Sequence, residues 1–329
     1  MVLLGWASVA EDEHSIAEAD QFAESERDCV LVLGGGSDAR SGVLAYRPAD
    51  RSLRVVDTSP FPAGVGDVAG FVAPVDEEWA AEVVVTGSDR IPVAFNGSRF
   101  SRRRLHVDAT DSMRRCHSRG AFGAAVGSRF FLCGGRHRSQ SVDFCPFHLH
   151  THASGCFVYD ASTRRWSPAG ARLPESLWFS AMTAVGGSLY VIGGRWGIED
   201  KGDVYRLSTL PRSWTQLHKP RAAAFVDSGK KNILVCDARR LCYRLELNGF
   251  SWTRVASMNL PDDDSRSFGL ISCAGKLLAF AGGRDGPVEE FYPETDGWTR
   301  HGNHELLRRR QGFAYVCYPE KLCDRLALK

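Results

Sequence analysis

VLVLGGG at Val30–Gly36, FFLCGGR at Phe130–Arg136, LYVIGGR at Leu189–Arg195 and LLAFAGGR at Leu277–Arg284 each run an apolar strand into a glycine pair. A tyrosine and then a tryptophan follow three of them, as Tyr159 with Trp166, Tyr205 with Trp214 and Tyr292 with Trp298, while the first keeps Tyr46 but has Leu53 in the tryptophan's place. From Gly34 to Gly134 is 100 residues, from Gly134 to Gly193 is 59 and from Gly193 to Gly282 is 89. Such gaps fit a repeat of roughly 50 residues if two degenerate copies are hidden among them. VVVTG at Val83–Gly87 keeps one glycine, and ILVCD at Ile233–Asp237 keeps none but precedes Tyr243 and Trp252. Six repeats result, with starts near residues 34, 86, 134, 193, 236 and 282.

Each repeat reads as four short strands, as in GAFGAAVG, RFFLCGG, GCFVYD and RRWSPAG. Strands so short, apolar or alternating and separated by turn residues, describe antiparallel meanders. Glycine lacks a Cβ, so it takes unusual dihedrals and lets a neighbouring ring approach the backbone. The tyrosines and tryptophans are then wedge fillers, each burial contributing roughly 2–3 kcal/mol.

The pattern resembles the kelch repeat over nearly all of the chain after Cys29. That resemblance implies an all-β, six-bladed kelch β-propeller with four-stranded antiparallel blades over residues 29–329. A ring must avoid exposed edges between its first and last blades. GFAYVCY at Gly312–Tyr318 looks like the first strand of a repeat with no repeat after it. The C-terminal strand is therefore expected to complete the N-terminal blade. Residues 1–28 form a separate acidic segment, helical or disordered, with Ile16, Ala19 and Phe22 spaced for one helical face.

With a net charge of +2, the chain makes no general case for nucleic acid or membrane surfaces. No apolar run is long enough to span a membrane. MVLLGWASVA lacks the basic start of a signal peptide. Ten cysteines are dispersed, with Cys133, Cys236, Cys273 and Cys317 inside strands, and they read as reduced, packed thiols of a cytoplasmic protein.

In a meander, the loop after the second strand and the loop entering the next first strand share one end of the ring. Arginines recur at both places. Arg136, Arg195 and Arg284 follow glycine pairs, with Arg40, Arg90, Arg239 and Arg240 further along equivalent loops, and Arg119, Arg221, Arg266 and Arg310 precede first strands. Trp178 takes the latter position in the fourth repeat, and Trp196 follows Arg195. Guanidinium forks with two indoles suit an acidic or phosphorylated peptide. The alternative is local pairing with Glu199, Asp200, Asp285 and Asp262 to Asp264.

The resemblance sharpens this reading. In BTB-kelch adaptors, arginines at these two positions line the substrate pocket, which implies partner-binding roles for Arg119, Arg136, Arg195, Arg266, Arg284 and Arg310; Trp178, Trp196 and Arg221 join them by position. It further implies a non-catalytic interaction module, the substrate-recognition propeller of a ubiquitin-ligase adaptor. Cullin-type components would be reached through a BTB domain missing from this sequence or carried separately. An actin scaffold is the second reading, and a kelch-type sugar-modifying or copper-oxidase enzyme the third.

The third repeat carries an insertion, CPFHLHTHASGC, with Cys145, His148, His150, His152 and Cys156. Thiolates and imidazoles suit zinc, but the spacing matches no common finger. On a continuous extended segment the three histidines would share one face, and a polar or pH-sensitive loop is the simpler expectation. No nucleophile elbow, phosphate-binding loop or HExxH occurs, so no cofactor and no catalytic residue are expected.

Overall fold

The computed structural model describes residues 28–34, 42–57, 69–75, 80–87, 90–95, 100–101, 120–135, 148–149, 152–163, 165–178, 180–185, 187–196, 199–200, 202–208, 213–217, 225–228, 232–237, 239–260, 268–282, 285–308, 313–318 and 320–326. The acidic segment 1–28 lies outside them but for Asp28.

The fold is an all-β propeller of four-stranded antiparallel blades. Among the described residues, six four-stranded sheets follow one another. In chain order, blade three is Phe122–Val126, Arg129–Cys133, Gly155–Asp160 and Arg165–Arg172, and blade four is Ala181–Val185, Ser188–Ile192, Val204–Ser208 and Ser213–Leu217. Blade five is Phe225–Ser228, Asn232–Cys236, Cys242–Glu246 and Ser251–Val255, and blade six is Phe268–Cys273, Lys276–Ala281, Pro287–Tyr292 and Gly297–Asn303. The second sheet, Ala69–Val75, Ala80–Gly87, Arg90–Phe95 and Phe100–Ser101, is described by its backbone alone.

Closure follows the expected route. Phe313–Tyr318 pairs antiparallel with Cys29–Gly34, Val30 facing Cys317 and Val32 facing Tyr315, and so completes blade one with Val43–Arg47 and Ser52–Asp57. The innermost strands lie side by side, each against the next, with Phe313–Tyr318 touching both Phe268–Cys273 and Ala69–Val75.

The register places the tyrosines and tryptophans of the repeat. In every blade with described side chains, the tryptophan position faces the residue seven places before it. Trp166 faces Tyr159, Trp214 faces Leu207, Trp252 faces Leu245, Trp298 faces Phe291 and Leu53 faces Tyr46. Tyr205 therefore sits two residues earlier on the same face as Leu207, whereas Tyr292 falls on the opposite face, because side chains alternate along a strand. The constant feature is the hairpin, and the tyrosine is one of several large residues that fill it.

Packing between blades is chiefly apolar. Tyr190, Ile192 and Val204 of blade four meet Ile233, Val235 and Leu245 of blade five in one buried cluster. A glycine is needed where backbones close in. At Gly269 of blade six the ring of Tyr315, from the closing strand, occupies the space a Cβ would fill.

The cysteines depart from expectation. Cys133–Cys156, Cys236–Cys242, Cys273–Cys317 and Cys29–Cys323 are disulfides, and no free cysteine remains among the described residues. Strand register explains two of them, since Cys133 and Cys156 face each other, as do Cys236 and Cys242. A dispersed pattern in the sequence becomes paired once antiparallel neighbours are aligned. The other two pairs bind the chain's ends into the ring. Cys323 lies on the helix Glu320–Leu326, whose first N–H, that of Glu320, donates to Asp28 Oδ1 at 2.9 Å.

Candidate functional site

The rim that carries the loops is shaped by how each blade turns from its second strand to its third. Blades three and four use glycine pairs. Gly134 and Gly135 have φ of 63° and 97°, and Gly193 and Gly194 have 63° and 103°, a region that L-residues with a Cβ rarely occupy. Both pairs also lie against the strand that leads into blade four. A Cβ on Gly134 would strike the Leu177 carbonyl and the Phe122 ring, and one on Gly194 would strike Ser180 Oγ. The Gly135 N–H donates to the Leu177 carbonyl at 2.8 Å, and Ser180 Oγ donates to the Gly193 carbonyl at 3.0 Å. The turns are thereby fixed.

Blade five achieves its turn without glycine. Asp237 is buried, and its Oδ1 accepts the N–H groups of Arg239 and Leu241, each at 2.9 Å. The Arg240 N–H donates to the Asp237 carbonyl at 2.8 Å, and Arg240 takes the left-handed φ of 66°. This is an Asx turn, the carboxylate standing in for a backbone partner. Arg239 and Arg240 are thus held on a five-residue connection between Cys236 and Cys242.

Of the expected partner-binding residues, three are within the description. Trp178 is buried at 8% exposure in the segment beside Gly194, which corrects the expectation of an open indole. Its position is the glycines' counterpart in packing, and the sequence signal for it was a large aromatic before a first strand. Arg195 and Trp196 form one arm of a small hairpin with Glu199–Asp200, the register setting Arg195 opposite Asp200 and Trp196 opposite Glu199. That placement makes Asp200 the cross-strand neighbour of Arg195 in the backbone register. Arg119, Arg136, Arg221, Arg266, Arg284 and Arg310 lie outside the described residues.

The insertion of blade three does not run as one extended segment. His148–Leu149 pairs with His152–Ala153 in a two-stranded hairpin, with His148 facing Ala153 and His152 facing Leu149. His148 and His152 therefore hold register positions on opposite faces of this hairpin, not on the one face expected of a continuous extended segment. Cys156 is bonded to Cys133 and so offers no thiolate. Cys145 and His150 lie outside the described residues.

The electrostatics hold a feature that sequence patterning did not reveal. Asp28, Asp203, Asp237, Glu289 and Glu290 are buried, whereas no arginine or lysine is buried among the described residues. The acids are retained by specific donors. Gln216 Nε2 donates to Asp203 Oδ1 at 3.1 Å, and the Asn259 N–H donates to Glu289 Oε2 at 2.9 Å. Burial pushes the Glu289 carboxyl up, opposed by that N–H and by the charges of Arg300 and Arg240. Arg54, Arg165, Arg172, Arg254 and Arg300 are exposed on outermost strands. Among the described residues, acids are therefore found in the interior and on the surface, whereas the buried charged side chains are all carboxylates.

A second polar cluster joins blades six and one. His301 Nδ1 is hydrogen-bonded with the Tyr46 hydroxyl at 2.8 Å, its Nε2 lies 2.6 Å from Glu290 Oε2, and Lys276 Nζ reaches the same oxygen at 3.3 Å. His301 is closed to solvent, so this Tyr–His–Glu array is structural and has no access for a substrate. Burial holds the imidazole below its ordinary value, with the Glu290 carboxylate pulling the other way.

Fold and turns together define a β-propeller of four-stranded antiparallel blades. The proteins named Kelch domain-containing protein 10 from Bos taurus and from Homo sapiens are each 31% identical to this chain over 109 residues. The similarity covers 29% of this chain and 22% of each relative, so it spans about a fifth of the relatives' own length. No family model matches the chain. No helix among the described residues is long and apolar enough to cross a membrane.

Proposed function

We propose that this chain is a non-catalytic protein-interaction module whose loop rim captures an acidic segment of a partner protein. The observation that carries the reading is the asymmetry of burial, with five carboxylates buried and no arginine or lysine buried among the side chains described. Fixed turns at Gly134–Gly135, Gly193–Gly194 and Asp237 present the arginine-bearing loops from a rigid frame, which lowers the ordering cost of binding. The kelch likeness favours the same reading, as does a ring taken as six-bladed with the second sheet as a full blade. Any ligase role would be inherited from the adaptor resemblance. The four disulfides weigh against it, because bridges of this number persist in oxidising compartments rather than the cytoplasm. An oxidising compartment is accordingly preferred to the cytoplasmic one expected from sequence.

Charge reversal tests the proposal. Arg136→Glu with Arg284→Glu should leave thermal unfolding unchanged and abolish capture of a Glu/Asp-rich peptide library, and added salt should weaken capture by the unaltered protein. Undiminished capture by the double variant would refute the rim as the binding face.

A further inference from the structure

Four disulfides are described, and they divide by place. Cys133–Cys156 and Cys236–Cys242 each tie a second strand to a third within one blade. Cys273–Cys317 crosses between blades, joining the innermost strand of blade six to the closing strand, and Cys29–Cys323 joins the first strand to the C-terminal helix. The last two are neighbours, since Val30 pairs with Cys317 and Cys273 Sγ lies 3.5 Å from the Cys29 carbonyl oxygen.

They also divide by access. Cys29, Cys133, Cys236, Cys242 and Cys273 are fully buried, and Cys156 and Cys323 are 2% exposed. Cys317 is the one partly exposed cysteine among the described residues. Thiol–disulfide exchange requires a thiolate to reach a sulfur, so access selects which bridge reacts and at which end.

We propose that the Cys273–Cys317 bridge is a redox-addressable lock on the seam of the ring, opened by a dithiol reductant that attacks Cys317. A reductant thiolate forms a new S–S bond to Cys317 Sγ. The Cys273–Cys317 bond breaks, and its electron pair leaves on Cys273 Sγ, which takes a proton. The reductant's second thiolate then attacks its own sulfur in the mixed disulfide and releases Cys317 as a thiolate, which is protonated in turn. Two electrons and two protons pass to the bridge, and the reductant departs as its own disulfide. Strand pairing between Cys29–Gly34 and Phe313–Tyr318 survives, as does Cys29–Cys323, so the contact between blades six and one loosens while the ring keeps its closing strand.

The test uses the full chain purified without reductant and exposed to limiting dithiothreitol. Samples are acid-quenched, alkylated in denaturant and mapped by peptide mass spectrometry. Cys273 and Cys317 should appear as alkylated thiols together, and on the order of tenfold faster than any other pair. The partly reduced protein should melt at a lower temperature, at the value shown by the Cys273→Ser/Cys317→Ser variant with the remaining bridges intact. If the variant does not fold, the order of labelling in the unaltered protein decides alone. Earlier labelling of another pair, simultaneous labelling of all pairs, or alkylation of Cys273 and Cys317 before any reductant is added would overturn the proposal.

Discussion

The contact between blades four and five and the seam between blades six and one do the same job by different chemistry. At the first, Tyr190, Ile192, Ile233, Val235 and Leu245 interlock in one apolar cluster. At the second, an apolar cluster of Val30, Tyr46, Phe280 and Val288 is supplemented by the Tyr46–His301–Glu290–Lys276 network and by a disulfide. Blades four and five are joined by a short connection, so the chain itself sets their relative position. The seam brings together segments from opposite ends of the chain, and loop closure over that distance has a larger entropic cost. Hydrogen bonds and a covalent link are directional where apolar contacts are not, and they specify the register that chain proximity supplies elsewhere.

The comparison is broken most severely on the apolar side, at the backbone. Gly194→Val places a Cβ against Ser180 at a φ of 103° and should cost about 4 kcal/mol from backbone strain and overpacking together. Chemical denaturation should show a lower midpoint with blade four lost first in hydrogen exchange. A variant that melts like the parent would mean that the turn is not fixed by the segment from Trp178 to Ser180.

A smaller effect is expected from Leu245→Ala, which empties a fully buried site facing Trp252. The loss should be about 3 kcal/mol through the cavity left behind. Because no histidine or carboxylate belongs to that cluster, the stability of this variant should run parallel to that of the parent at every pH between 5.5 and 7.5. A change of slope would show that the two interfaces are coupled.

The repeat, the antiparallel meanders and the closing strand were legible in the sequence because glycine pairs and apolar runs recur at matched places. Gly194 and Gly134 could be read as tight turns from their type alone. What lay beyond reach depends on which residues face each other across strands. Cys133 and Cys156 are 23 residues apart and become neighbours only through register, and the same holds for Trp298 opposite Phe291 rather than Tyr292. Asp237 was legible as a missing glycine, but its role as an acceptor for two N–H groups needed the turn's geometry. The buried glutamates gave no signal, since nothing in the run PVEEFY distinguishes them from surface acids, yet both Glu289 and Glu290 are inside. At the rim, Arg195 and Trp196 share one hairpin, while Trp178 shows that an aromatic at a loop position can belong to the core.

The polar side yields the smallest and most diagnostic effect. His301 and His304 both lie at the seam, His301 bonded to Tyr46 and His304 edge-on to the Tyr46 ring at 5.6 Å. Burial holds each imidazole below the ordinary value of 6.5, and around His301 the Lys276 and Arg51 charges add to that while Glu290 opposes it. The folded protein therefore binds fewer protons than the unfolded chain below pH 6.5. The contribution of these residues is complete above pH 6.5 and is lost as the pH falls from there toward the folded values, below which the loss levels off. About 1 kcal/mol should disappear between pH 7 and 5.5, read as a falling melting temperature. His301→Gln with His304→Gln should flatten that decline while keeping a group able to accept from the Tyr46 hydroxyl. An identical decline in the double variant would place the acid sensitivity elsewhere and leave the seam no different in kind from the contact between blades four and five.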